Sequence, residues 1–168
     1  VRLAALLLLL PALTATAAAE KPATYGMEIH SDWIAMPDGT RLSADLYQPT
    51  GGRAGEKFPV LLEYLPYRKH EARARNWPLY SYFVQRGYVV AAVDIRGTGN
   101  SEGRLIPHEY SEVEQQDGET VIDWLSKQPW SNGKVGTTGC SSTAEYQMGV
   151  AALGHPAYAA MNWGRAAA

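Results

Sequence analysis

Two stretches of almost unbroken apolar residues, Phe58 to Leu65 and Tyr88 to Ile95, constrain this chain more than any other feature. Alternating apolar and polar residues mark a strand with one wet face, whereas runs without alternation mark strands covered on both faces, as in parallel sheets packed between helices. Lys134 to Thr138 is a shorter run of the same kind. Between these runs, Leu79 to Arg86 and Val113 to Lys127 carry apolar residues at helical spacing, the second through Val113, Val121, Ile122, Trp124 and Leu125. Gly87 supplies a stop for the first, and Gly118 is a weak point in the second, about 1 kcal/mol worse than alanine. Upstream, two extended segments between Tyr25 and Pro49 flank Pro37-Asp38-Gly39, a strong hairpin signal. The expectation is an α/β fold: a mostly parallel sheet with an antiparallel N-terminal hairpin and helices on both faces.

A chain of 168 residues has room for one domain with a sizeable core. Its 15 Lys plus Arg against 17 Asp plus Glu leave a net charge of -2, which offers no general attraction to nucleic acid or anionic lipid. Cys140 is the single cysteine, and the four histidines are scattered, so neither a disulfide nor a metal site is expected. Gly97-Thr98-Gly99 with Gly103 follows a strand, but a dinucleotide fingerprint must open a helix, and Pro107 stands where that helix would run. No cofactor is expected. Asp94 and Arg96 are read as a hydrogen-bonded pair that shapes the loop after the strand, and the basic stretch Arg68 to Arg75 as a solvated helix face.

At the front, Arg2, the apolar run Leu3 to Leu13 and the small residues up to Ala19 have the layout of a secretory signal peptide, with cleavage before Glu20. The apolar run is too short for a stable membrane span, which needs roughly 20 residues. Residues 20–168 would then form the mature, exported part, periplasmic or secreted. No repeat or linker divides it.

Chemistry concentrates after the third apolar run. Gly139-Cys140-Ser141-Ser142-Thr143 lies between that strand and a helix over Ala144 to Leu153, which Gly154 and Pro156 end. A serine at a strand-to-helix turn, with glycine two positions before it, fits the strained nucleophile elbow. Ser141 is the candidate nucleophile. The Ser142 N–H, at the helix N-terminus, would face the oxygen on which negative charge develops. Cys140 or Ser142 as nucleophile would lack the glycine two positions upstream, so Cys140 is read as a small buried filler. Thr143 stands where the elbow usually has glycine, and its β-branch should crowd the turn.

Several strings, in order, resemble the X-Pro dipeptidyl-peptidase (peptidase S15) and cocaine-esterase-like group of α/β-hydrolases. They are Met36-Pro37-Asp38-Gly39-Thr40-Arg41-Leu42-Ser43-Ala44-Asp45-Leu46-Tyr47, Pro59 to Glu63 with Pro66-Tyr67, Asp94 to Gly103, and Trp124-Leu125 with Gln128 to Gly136 leading into the elbow. The resemblance implies the N-terminal portion of an α/β-hydrolase catalytic domain, acting on small-molecule esters, amides or short peptides through an acyl-enzyme. It also implies that Tyr67 gives its hydroxyl to the oxyanion hole beside the Ser142 N–H.

In this fold the acid and histidine follow the nucleophile in chain order. Beyond Ser141 there is no aspartate, Glu145 reads as a solvated or capping residue, and His155 reads as a loop residue. The expectation is a fold cut after about its sixth strand, with Ser141 present and its general base absent, and hence a nearly inactive chain. Two rivals remain at this point: a secreted, non-catalytic module that keeps the fold, and a thiol hydrolase using Cys140.

Overall fold

The computed structural model describes residues 20–164, so the proposed signal peptide and Arg165 to Ala168 lie outside the described residues. Six strands, β1 (Gly26–Ala35), β2 (Arg41–Thr50), β3 (Phe58–Leu65), β4 (Val89–Asp94), β5 (Ser131–Cys140) and β6 (Tyr158–Gly164), form one sheet in the order β1-β2-β4-β3-β5-β6. The β1–β2 hairpin is antiparallel, β2 joins β4 antiparallel, and β4, β3, β5 and β6 are mutually parallel. The two apolar runs are thus β3 and β4 at the centre, and all six residues of β4 are buried.

Helices cover both faces, as expected. Helix α1 (Lys69–Val84) packs Ala72, Tyr80 and Val84 against Tyr47, Leu61 and Val90 on one face. Helices α2 (Glu112–Ser126) and α3 (Ser142–Ala152) pack Val121, Ile122, Leu125, Tyr146 and Val150 against Leu62, Val93 and Val135 on the other. Helix α2 starts at a reciprocal cap in which the Ser111 hydroxyl accepts from Glu114 N–H and Glu114 accepts from Ser111 N–H. Gly118 is a point of close approach, because a Cβ there would stand 2.6 Å from Val150 of α3. Its lower helix propensity is exchanged for helix–helix contact.

Three expectations are corrected. The helix proposed for Leu79 to Arg86 is the second half of α1, which runs continuously through Pro78. An interior proline costs about 3 kcal/mol, and burial of Tyr80 and Val84 beyond it keeps the chain helical. The basic stretch is not wholly solvated, for Lys69 is 1% exposed. Its ammonium lies 3.2 Å from Asp45 of β2, and Arg73, one turn on, lies 2.6 Å from the same buried carboxylate. Burial works to raise the Asp45 carboxyl, but Arg73, Ser31 and Lys69 together hold it below the ordinary range. Asp94 and Arg96 do shape the loop after β4, but through separate partners. Asp94 accepts from the Lys69 N–H at 2.6 Å and the Asn100 N–H at 3.0 Å, while Arg96 grips Asp117 of α2 at 2.8 Å and Asp38 at 2.6 Å.

Candidate active site

The parallel strands β3, β4 and β5 all end on one edge of the sheet, and the loops leaving them meet there, which is where α/β sheets hold ligands. Tyr67 follows β3, the loop from Ile95 to Ser111 follows β4, and Ser141 follows β5. These connections are short or pinned from below, so side chains far apart in sequence converge.

Ser141 is exposed, between the last residue of β5 and the first of α3, with φ 58° and ψ -134°. A non-glycine residue in that region carries about 1–3 kcal/mol of strain and persists only where the surroundings enforce it. Neither Cys140 nor Ser142 has a positive φ, so the strained corner distinguishes Ser141 from both neighbours. The expected crowding by Thr143 is relieved at Gly139, where a Cβ would stand 2.2 Å from the Thr143 methyl. Glycine at 139 makes the space that the β-branch occupies. Cys140, expected as a buried filler, is exposed instead. It ends β5 beyond the buried Thr138, which shares its face of the strand, and lines the rim of a cavity beside Tyr67.

The Ser142 N–H donates to the Tyr67 hydroxyl oxygen at 3.2 Å. That phenol, accepting from the amide, keeps its own proton to give to a third atom. An oxygen that displaced the phenol from that N–H could accept from both the Ser142 N–H and the Tyr67 hydroxyl, the pair of donors an oxyanion needs. The sequence-read residues Ser141, Ser142 and Tyr67 are therefore brought together, although Tyr67 and Ser142 are 75 positions apart.

Cavities flank Tyr67 on both sides. One, of about 380 Å³, is walled by Ile95, Leu105, Ile106 and Pro107 and reaches Ser142 and Tyr146, with Glu109 and Glu114 among its lining. The other, of about 200 Å³, lies toward α1 and β6 and touches Glu63, Thr138, Cys140 and Asn162. Burial raises the Glu63 carboxyl, against the hydrogen bonds from Tyr80 and Asn76. A further cavity of about 380 Å³ opens at the opposite end of the sheet around Gly52, Arg53 and Trp130, away from Ser141.

His155 is not part of this group. It sits past the far end of α3, roughly 16 Å of helix from Ser141, 3.5 Å from Asp123 and accepting from the Ala157 N–H. Glu145 stays in the first turn of α3. Among the described residues no histidine is hydrogen-bonded to Ser141, no three metal-ligating side chains cluster, and no helix is long and apolar enough to cross a membrane. Two contributors escaped the sequence reading: Asp45 and Gln147. Asp45 carried a signal, as an acid embedded in an otherwise apolar strand; Gln147 carried none, since a glutamine in a helix reads as surface.

A doubly covered, mostly parallel sheet with a strained serine at the turn from strand to helix defines the α/β-hydrolase class. Within it, the sequence profile of X-Pro dipeptidyl-peptidases (S15 family) matches residues 38–163, and the chain belongs to that family. It is 36% identical over 128 residues to a cocaine esterase of Rhodococcus sp., covering 72% of this chain and 21% of that one. It is 33% identical over 94 residues to an Xaa-Pro dipeptidyl-peptidase of Streptococcus gordonii, covering 47% of this chain and 12% of that one. A crystal structure of a CocE/NonD family hydrolase from Staphylococcus aureus superposes with a TM-score of 0.70 at 32% identity, over 80% of this chain and 27% of that one. The chain spans about a fifth of the length of curated relatives such as the cocaine esterase.

Proposed function

We propose that this chain carries the nucleophile and oxyanion hole of a serine hydrolase that cleaves ester or amide bonds, including those of short peptides, through an acyl-enzyme. Ser141 Oγ attacks the carbonyl carbon while its proton passes to a general base. The carbonyl oxygen takes up negative charge and is held by the Ser142 N–H and the Tyr67 hydroxyl. Collapse expels the alcohol or amine with a returned proton, and water then releases the acid from Ser141 by the same route. The base and the acid that orients it come from outside residues 1–168.

The observation that carries this reading is the backbone of Ser141, held at φ 58° beside the paired Ser142 and Tyr67 donors. Hydrolase relatives named for an ester and for dipeptide release support a small acyl substrate. A non-catalytic module has no use for a strained serine, and the exposed but unstrained Cys140 argues against a thiol nucleophile. Labelling of the full-length protein by a fluorophosphonate should vanish in Ser141→Ala; equal labelling of both proteins would sink the assignment.

Export is part of the same proposal and rests on Arg2, the run Leu3 to Leu13 and the Ala17-Ala18-Ala19 exit. Mass spectrometry of protein recovered outside the cytoplasm should find Glu20 as the first residue. Recovery there with Arg2 to Ala19 still attached would refute cleavage.

A further inference from the structure

Below the elbow, helix α3 sends one amide into the seam between β5 and β6. Gln147 is 3% exposed. Its amide oxygen accepts from the Gly139 N–H at 3.2 Å, and its nitrogen donates to the Thr137 hydroxyl at 2.8 Å and the Asn162 carbonyl at 3.2 Å, an orientation that pairs donors with acceptors throughout. The Thr137 hydroxyl shares a second hydrogen bond with the Tyr158 hydroxyl at 2.6 Å. Gly139 lies two residues before Ser141, and Gln147 lies six after it. The one amide therefore clasps both arms of the turn.

The other polar restraints on that turn start from main-chain groups: the Ser141 carbonyl accepts from the Ala144 N–H at 2.8 Å and the Glu145 N–H at 3.3 Å, the Ser142 N–H donates to Tyr67, and Gly139 and Cys140 pair with Trp163 and Gly164 of β6. Ser141 makes no side-chain capping hydrogen bond to α3. Thr143, at the first turn of the helix, is buried with its hydroxyl unpartnered among the described residues. Of the described α3 side chains, only Gln147 is hydrogen-bonded to β5. Backbone strain relaxes unless its surroundings over-determine it, and here the polar side-chain tie between α3 and β5 is made by a single residue. We infer that Gln147 is a positioning residue: it fixes the Gly139 peptide and thereby holds Ser141 in its reactive, strained conformation. This inference rests on Ser141 being the nucleophile.

The test uses the full-length protein and reads the rate of fluorophosphonate inactivation together with kcat, KM and Tm. Gln147→Met keeps the volume and removes the hydrogen bonds. It should slow inactivation and lower kcat by about ten- to a hundredfold, as for a displacement of the order of 1 Å, with KM within about twofold. Tyr64→Phe, which deletes a buried hydrogen bond to the Glu114 carbonyl on the side of α2, should lower Tm and leave the inactivation rate unchanged.

Gln147→Glu adds a readout that a purely structural role would not move. Its protonated acid presents a carbonyl and an O–H where the amide had a carbonyl and an N–H, so its activity relative to wild type at the same pH should be highest at low pH. It should then fall as the new carboxyl, raised by burial, ionises, at a pH where the wild type shows no such fall. Should Gln147→Met fail to fold, this profile alone decides. Inactivation of Gln147→Met at the wild-type rate, or a wild-type pH profile for Gln147→Glu, overturns the inference. Retained labelling of Ser141→Ala would instead overturn the nucleophile reading beneath it.

Discussion

Tyr67 is the residue whose role most depends on one atom. Its ring and neighbours would be preserved in Tyr67→Phe, and only the hydroxyl that meets the Ser142 N–H would be lost. If that hydroxyl stabilises charge present only in the transition state, kcat should fall by about 10²- to 10³-fold with little change in KM, the range for loss of one oxyanion donor. A rise in KM at constant kcat would reassign Tyr67 to substrate binding. Ser141 differs in kind, because its signature is in the backbone. A side-chain deletion there removes the proposed nucleophile and leaves the strain in place, so Ser141→Ala should fold at least as well as the parent.

At the scale of elements, Arg96 ties the turn between β1 and β2, through Asp38 and Thr40, to α2, through Asp117. The Arg96 hydrogen bond, helped by the Thr40 N–H, holds the Asp38 carboxyl down to about 2. An unfolded aspartate titrates near 3.9. Because the folded value is the lower one, the stabilisation is complete above about pH 4 and disappears as the pH falls toward 2. The loss of urea resistance between pH 5 and pH 2.5 should therefore be smaller in Asp38→Asn than in wild type; equal losses would show that the contact does not couple to folding. Much of this layer could be read in advance, since burial on both faces wrote itself into β3 and β4 as apolar runs and the elbow followed from Gly139 and Ser141. What escaped were long-range pairings with no local pattern. Lys69 and Arg73 looked solvated because their partner, Asp45, lies on a distant strand, and the local pattern predicts the helix only from Leu79 because the packing that carries it through Pro78 is not visible in a local window. Glu114 was legible but overlooked, as Ser111-x-x-Glu114 is a helix-start signature.

For the molecule as a whole, the sheet has two outer strands among the described residues, β1 and β6. They are unlike each other. β1 carries Glu28, His30, Ser31 and Asp32 as exposed residues, and charge along an edge discourages pairing with another chain. β6 reads Tyr158-Ala159-Ala160-Met161-Asn162-Trp163-Gly164, without a charge, and Met161 is 42% exposed. Its free row of N–H and C=O groups is a template for a neighbouring strand. The 168-residue chain produced alone should therefore associate through β6, detected as light scattering that grows with concentration, and Met161→Lys should reduce it. A monodisperse preparation with a cooperative melt would show that the β6 edge is protected. The same preparation should hydrolyse a simple ester about 10⁴- to 10⁶-fold more slowly than the full-length protein, the scale of losing a triad partner. His30, His70 and His155 are turned to Glu28, Asp45 and Asp123, and among the described residues no histidine is paired with Ser141 to take its proton. Turnover at the full-length rate would mean that a base within the 168 residues serves Ser141.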